Sequence, residues 1–494
     1  MKTSAAHRSP AFAICIAAFA VTLVAFATPA QAQPTDAEIK AILAQRIDVD
    51  KQAVGLAAVV VEGGKVRIVT HGAMGLTTER DKAEPITPDT LFEVGSITKT
   101  FTALLLADMV IKGEVKLDDP VEKWLPQGLG LRGGLKLRDH AGSPIRLVDL
   151  ATHRSGLARI PDNMPNGTRA DPYVDYREQQ LLVYLKDRET LVETDGGKIS
   201  KATKKRDEAY AYSNLGYGLL GYVLARAAET SYADLLQKRV LTPLGLTSTY
   251  LDIPRGELAR FSNPHYVDRD ATLKRNKHWR FDVIAPAGAL IMSARDMGRY
   301  AQAASGAIDT PLKAAFALGQ KRYGDGMAPM NPQGLGWILA PMNGRTVFNH
   351  DGMTGGFTSS LWVDPDRRAG VAVLSNTNAP VLDIALHLLE PSIPLKNLAA
   401  MRATAVPVDS KIMAQYVGTY ALTPKFNVTI RLRDGKLFAQ ATGQGEFELF
   451  GKSHTTFFAR ITPLEIAFED VKEGKAMRFQ ITQNGSTRPA TRVE

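Results

Sequence analysis

Apolar positions along this chain follow one period at its flanks and another in the middle. After a first helix over Thr35 to Arg46, Val54 to Val61 and Lys65 to Thr70 read as two strands joined at Gly63-Gly64. Between about residues 100 and 320 the spacing is mostly helical, interrupted by long polar loops. Lys99 to Met109 and Leu215 to Ala228 are apolar helical runs within it. Strand spacing returns in Gly334 to Leu339, Thr346 to His350, Phe357 to Val363 and Gly370 to Ser375, before a helix over Pro380 to Leu389. Strands at both ends with helices between them predict an α+β domain.

A linker follows at residues 399–409 (AAMRATAVPVD), then a short helix over Lys411 to Tyr416. Beyond it the pattern is all strand: Gly418 to Leu422, Asn427 to Arg433, Lys436 to Ala441, Glu446 to Leu449, Thr455 to Ile461, Leu464 to Phe468 and Lys475 to Ile481. Asp434-Gly435 is a hairpin turn signal. Short strands with turns between them predict a small antiparallel barrel. The expected organisation is a leader over 1–32, a main domain over 33–398, the linker, and a barrel domain over 410–494.

The leader is read from three parts. Lys2 and Arg8 precede an apolar run from Ala11 to Phe26, and Ala30-Gln31-Ala32 is a small-residue cleavage site. The run is short for a membrane span, so a secretory signal peptide is expected, cleaved after Ala32. This predicts export to the periplasm or beyond, with no stable membrane anchor after cleavage. Cys15, the chain's one cysteine, lies within the leader. The mature chain then has neither a disulfide nor a thiol nucleophile.

The chain has 494 residues, 45% hydrophobic and 22% charged, which is ordinary for a globular protein with more than one domain. Its formal charge of +9 falls to +7 once Lys2 and Arg8 leave. No aromatic-basic pattern accompanies that excess, so nucleic acid is not an expected partner. Histidines are scattered, with no metal-ligand spacing and no phosphate-binding glycine loop. No metal and no cofactor are expected.

The chemistry lies in three short motifs. Ser96 precedes Lys99 by one helical turn, which puts both on one face near a helix N-terminus. A serine hydroxyl needs a base, and a lysine serves as one only if burial or a neighbouring cation lowers its pKa. Tyr212-Ser213-Asn214 opens the second apolar helix. His350-Asp351-Gly352 ends the strand-like run from Arg345 to Asn349 and precedes Gly355-Gly356. Singly, these are a capping serine, a core tyrosine and a strand-end histidine.

In this order the three motifs resemble the serine β-lactamase and penicillin-binding protein superfamily. The resemblance extends to Thr90–Pro120, Ile145–Leu157, Ala209–Tyr250 and Phe348–Asn376, which are similar to class C β-lactamases and their relatives. It covers roughly residues 35 to 395. It implies an antiparallel sheet of five or more strands flanked by helices, an all-α lobe inserted in it, and a groove between them. It also implies that the barrel is lipocalin-like.

The resemblance further implies an acyl-enzyme mechanism with Ser96, Lys99 and Tyr212 as catalytic residues. Asn214 would bind a substrate amide or support Lys99. His350, Asp351 and Gly352 would line the substrate site. The backbone N–H groups of Ser96 and Met353 would form the oxyanion hole. The substrate would be a small molecule or a peptide, cell-wall fragments included.

Two departures narrow the expected substrate. Class C enzymes usually have Lys-Thr-Gly where this chain has His350-Asp351-Gly352. Histidine there gives a charge that depends on pH. A carboxylate at Asp351 would repel a substrate carboxylate unless paired or turned away. The final helix region, Ala379 to Glu390, carries no arginine to bind one, although Arg367 or Arg368 would serve if either reached the groove. These points favour a D-aminopeptidase-like peptidase or an esterase over a β-lactamase or DD-carboxypeptidase. A β-lactam sensor or non-catalytic scaffold is the alternative of another class. A basic loop, Lys198 to Arg206, and a sequon at Asn166-Gly167-Thr168 complete the features.

Overall fold

The computed structural model describes residues 33–494, apart from 77–83, 127–136, 139–141, 166–170, 195–209, 269–271, 327–330, 399–400, 402, 424–425, 443, 461 and 484–485. The expected signal peptide, the basic loop and the sequon lie outside the described residues. The chain divides into two compact units, one holding most of residues 33–394 and the other residues 395–494.

The larger unit is built on a six-stranded antiparallel sheet in the order β2-β1-β6-β5-β4-β3. Its strands are β1 (Gly55–Glu62), β2 (Lys65–Gly72), β3 (Ile338–Met342), β4 (Arg345–Met353), β5 (Thr358–Asp364) and β6 (Ala369–Ser375). Chain ends far apart in sequence meet at its centre, where Leu56 pairs with Ser375 and Val61 with Gly370. β1 carries an unbroken apolar run, Leu56 to Val61, because both of its faces are covered. Burying each such valine or leucine contributes roughly 1.5–3 kcal/mol. The helix Ala294–Ala304 packs against β1 and β6, close enough that a Cβ on Gly298 would lie 2.7 Å from Val66. The helices α1 (Asp36–Ala44) and Leu382–Leu389 also pack on the sheet, against β2 and β6 respectively.

Residues between β2 and β3 form the helical lobe. Its central helix, α2 (Thr98–Ile111), is buried at every residue from Thr98 to Met109. A helix that is apolar nearly all round belongs inside a core, and that burial encloses Lys99 as well. Phe101 stacks on Tyr300 at 3.9 Å between ring centroids. The helix α3 (Asn214–Ala227) packs beside it, capped by Ser213, whose Oγ accepts the Gly216 N–H at 2.8 Å.

Two expectations shift. The strand expected over Gly334 to Leu339 lies at Ile338–Met342, after a turn in which Gly336 adopts φ +71°. His350-Asp351-Gly352 sits inside β4 rather than after its end.

The smaller unit is a closed antiparallel barrel of eight strands, from Gly418–Thr423 to Ser486–Arg492. The seven expected strands are all represented. The eighth, Ser486–Arg492, is missed in the sequence because it is polar and contains Pro489. The barrel tolerates that proline because the pairing with its first strand is confined to Thr491 and Arg492. Tyr416, Tyr420, Phe457, Phe468 and Phe479 fill the barrel's core, and Tyr416 stacks on Phe468 at 4.1 Å.

Candidate active site

Ser96 sits in a single 3₁₀ turn, Gly95–Ile97, between the strand Leu91–Glu93 and α2. The turn requires glycine at 95, where φ is +51° and a Cβ would lie 2.6 Å from the backbone nitrogen of Met353. Lys99 follows one turn later, fully buried, with Nζ 3.0 Å from Ser96 Oγ. Nζ also donates to the Ala287 carbonyl at 2.6 Å. The Tyr212 hydroxyl donates to Ser96 Oγ at 2.8 Å. One serine oxygen thus faces both expected proton carriers.

Burial sets their charge. It pushes the Lys99 ammonium well below its ordinary range, and the positive charge of Arg159 pushes the same way. Burial raises the Tyr212 phenol. Both shifts favour the uncharged forms, and an uncharged Lys99 amine would carry a free lone pair. Beneath Tyr212 lies His153, its ring centroid 4.3 Å away. His153 Nδ1 accepts the Ser213 N–H at 3.0 Å, which places its proton on Nε2. Burial pushes this imidazole well below its ordinary range too.

His350 is buried, 6.4 Å from Tyr212 between ring centroids. Its Nδ1 donates to the Asp351 carbonyl at 2.7 Å. Burial is the main cause that pushes it down to about 3. His350 is thus uncharged throughout the neutral range, contrary to the pH-dependent charge expected of it. The sequence identifies the residue but not the desolvation that holds it neutral.

Strand β4 brings the backbone of Met353 against the Ser96 turn. A Cβ on Gly352 would lie 1.9 Å from the Val94 carbonyl and 2.4 Å from Ser359 Oγ. Ser359 Oγ donates to the same carbonyl at 2.9 Å, tying β5 to the turn. The two expected oxyanion residues, Ser96 and Met353, therefore meet through two glycines. Gly352→Ala is expected to lower the acylation rate by roughly 10²- to 10³-fold, the cost of displacing one such donor, and to lower the melting temperature. Stopped-flow acylation with a thermal melt checks both. Unchanged acylation would remove β4 from the site.

Asp351 does not oppose a substrate carboxylate. Its Oδ1 accepts from Ser360 Oγ at 2.5 Å, directly across the β4–β5 pair, and strand alternation sends it to the face opposite His350. Arg367 and Arg368 do not reach the groove: they lie in the β5–β6 turn, where Arg367 pairs with Glu390 at 3.8 Å. Asn214 Nδ2 donates to the Tyr173 hydroxyl at 2.9 Å, while Asn214 Oδ1 is buried without a partner. The support of Lys99 that the resemblance allowed for Asn214 comes from the Ala287 carbonyl.

Several residues at the site escape the sequence reading. Tyr173 stacks on Phe281 at 5.2 Å and meets Trp279 edge-on at 5.7 Å, forming an aromatic wall beside Asn214. The Arg159 guanidinium covers the Tyr212 ring at 4.8 Å. These come from irregular segments with no periodic pattern. Arg159 and His153 do border a region that carries the resemblance. Among the described residues no group of three or more histidine, cysteine, aspartate or glutamate side chains is placed to hold a metal.

A buried lysine and a tyrosine meet on one serine oxygen, and the comparisons give the chain's family. The family described as beta-lactamase matches residues 35–389, and the chain belongs to it. A second family, described as a domain of unknown function (DUF3471), matches residues 402–492. The chain is similar to penicillin-binding protein 4* of Bacillus subtilis, 26% identical over 88% of this chain and 94% of that protein. It is also 26% identical to a β-lactamase of Escherichia coli, over 66% of this chain and 85% of that one. Among solved structures, an octameric penicillin-binding protein homologue from Pyrococcus abyssi covers 92% of this chain and 99% of its own, with a TM-score of 0.61 and 22% identity. A class C β-lactamase from Rhodobacter sphaeroides covers 69% of this chain and 95% of its own, with a TM-score of 0.55 and 26% identity.

Proposed function

We propose that this protein is an exported serine hydrolase that is acylated at Ser96 by β-lactams or D-alanyl peptides, as a penicillin-binding protein or β-lactamase. The observation that carries the reading is the buried Lys99 amine 3.0 Å from Ser96 Oγ, with Tyr212 at 2.8 Å on the same oxygen. Lys99 takes the Ser96 proton as Oγ attacks the acyl carbon. The backbone N–H groups of Ser96 and Met353 receive the developing oxyanion. Lys99 returns the proton, through Tyr212, to the leaving nitrogen, and water then releases the acid. Asn214 and the aromatic wall receive the acyl portion.

The curated relatives favour this substrate class over the D-aminopeptidase-like or esterase reading. The main objection to it, the Asp351 carboxylate, is weakened by its pairing with Ser360. One observation still favours the other reading: an uncharged His350 stands where class C enzymes usually have lysine. A scaffold needs no such assembled site; a β-lactam sensor is acylated too but stays acylated, so release of penicilloate separates it from a hydrolase. Export rests on the leader sequence. Among the described residues no helix is long and apolar enough to cross a membrane. The lipocalin-like reading of the barrel is supported by its eight closed strands, and its packed core favours a structural role over carriage of a ligand.

Intact-mass spectrometry with benzylpenicillin, followed by peptide mapping, tests the proposal. The expected result is an adduct of the whole penicillin on the Ser96 peptide, or penicilloate release that depends on Ser96. Cleavage of D-alanyl p-nitroanilide without any penicillin reaction transfers the function to the aminopeptidase reading. No acylation by penicillin, ester or D-alanyl peptide sinks the hydrolase proposal.

A further inference from the structure

From the geometry we infer that Arg159 is a specificity-determining residue that binds a carboxylate on the acyl side of the scissile bond. The inference rests on the hydrolase reading above and names a feature of its substrates. Arg159 is exposed, yet its guanidinium is fixed over the Tyr212 ring at 4.8 Å. That packing is a cation–π contact, and it leaves the planar fork of N–H donors available for bidentate binding of a carboxylate. Its backbone is fixed too, since the Arg159 carbonyl accepts the Asn214 N–H at 3.0 Å. Tyr173 holds the Asn214 side chain, and whichever way the amide is turned, one of its polar atoms is left over for a ligand.

Position decides the side of the substrate. Arg159 and Asn214 belong to the helical wall of the groove, whereas Met353 and His350 belong to the sheet wall. On the sheet wall His350 is uncharged, Asp351 turns to the opposite face, and Arg367 is held at the far turn. On the helical wall Arg159 stands beside the amide that would hold the acyl chain, whereas Arg280, between Trp279 and Phe281, is paired with Asp171 at 2.8 Å. The aromatic wall of Tyr173, Trp279 and Phe281 completes a subsite for an acyl group that is apolar along its length and anionic at its end.

Two p-nitrophenyl esters of equal length isolate the effect: the hexanoate and the adipate half-ester, which differ by one terminal carboxylate on the acyl side. The hexanoate ester of 4-hydroxybenzoate carries the carboxylate on the leaving side instead. The wild-type protein is expected to prefer the adipate half-ester. Arg159→Gln should lower its kcat/KM by roughly ten- to hundredfold relative to p-nitrophenyl hexanoate, mostly through KM. Arg159→Lys should restore part of that loss, and the benzoate ester should follow p-nitrophenyl hexanoate. Equal losses on all three esters overturn the proposal, as does a selective loss on the benzoate ester. A binding measurement separates this outcome from failure of the hydrolase reading. In Ser96→Ala, calorimetry should detect tighter binding of the adipate half-ester than of p-nitrophenyl hexanoate, and adding Arg159→Gln should abolish the difference. If that difference appears while no ester acylates the wild type, the hydrolase reading fails and the anion site stands. If no difference appears, the anion site fails whatever the catalytic result.

Discussion

Ser96→Ala is expected to lower kcat/KM by roughly 10⁴- to 10⁶-fold on any substrate that the protein turns over, the scale on which loss of a nucleophile is felt. Ser96 Oγ is where Lys99 and Tyr212 converge, at 3.0 and 2.8 Å, so its removal leaves both proton carriers with nothing to act on. Substrate binding should persist, because Arg159, Asn214 and the aromatic wall do not depend on the hydroxyl. The melting temperature should change little, since Ser96 is only partly buried and fills no core position. Steady-state kinetics with intact-mass spectrometry reads this directly. Retention of acylation in Ser96→Ala would mean that another nucleophile does the chemistry.

Lys99→Met should lower the acylation rate by roughly 10²- to 10⁴-fold, the usual worth of a general base. Tyr212→Phe should slow release of the leaving group more than attack, because burial keeps the phenol protonated and unfit as the first base. If the tyrosine is instead the first base, the phenylalanine variant will acylate as slowly as the methionine variant. The pH profile gives an independent reading. Lys99 acts as a base only when unprotonated, so acylation should fall as pH drops through its lowered pKa. Lys99→Met should lose that limb. Arg159 helps to lower the same pKa, so Arg159→Gln should move the limb to higher pH.

Stability carries the same signature with a definite sign. An unfolded Lys99 binds its proton up to about pH 10.4, whereas the folded one has released it at lower pH. Within that window the unfolded state holds more protons, so stability should rise with pH relative to Lys99→Met. Melting temperatures of the two proteins between pH 7 and pH 9 check it. A parallel dependence would mean that Lys99 stays charged in the fold.

The comparison of sequence and structure has a physical pattern. Ser96 and Lys99 are legible because three residues make one helical turn, a distance that local geometry fixes. Tyr212 and His350 are legible through resemblance and order along the chain. The meeting of Tyr212 with Lys99 at the Ser96 oxygen is tertiary, since Tyr212 and Ser96 lie 116 residues apart, and His350 reaches the Tyr212 ring only through the fold. Arg159 was invisible because it lies in an irregular segment, where no period marks one arginine above another. The face that Asp351 occupies is hidden in the sequence for a related reason. A strand sends alternate side chains to opposite faces, and only the pairing with Ser360 shows which face is which.

By itself, then, the sequence determined the α+β class, the position of a β-barrel domain and the motifs on which Ser96 is proposed as the nucleophile. These follow from periodicity and from chemically specific residue patterns, which are local properties of a chain. Only the tertiary structure shows the directions in which burial shifts Lys99, Tyr212 and His350, the pairing of Asp351 with Ser360 and the place of Arg159. Each of these depends on desolvation or on contacts between residues distant in sequence, and neither exists until the chain has folded.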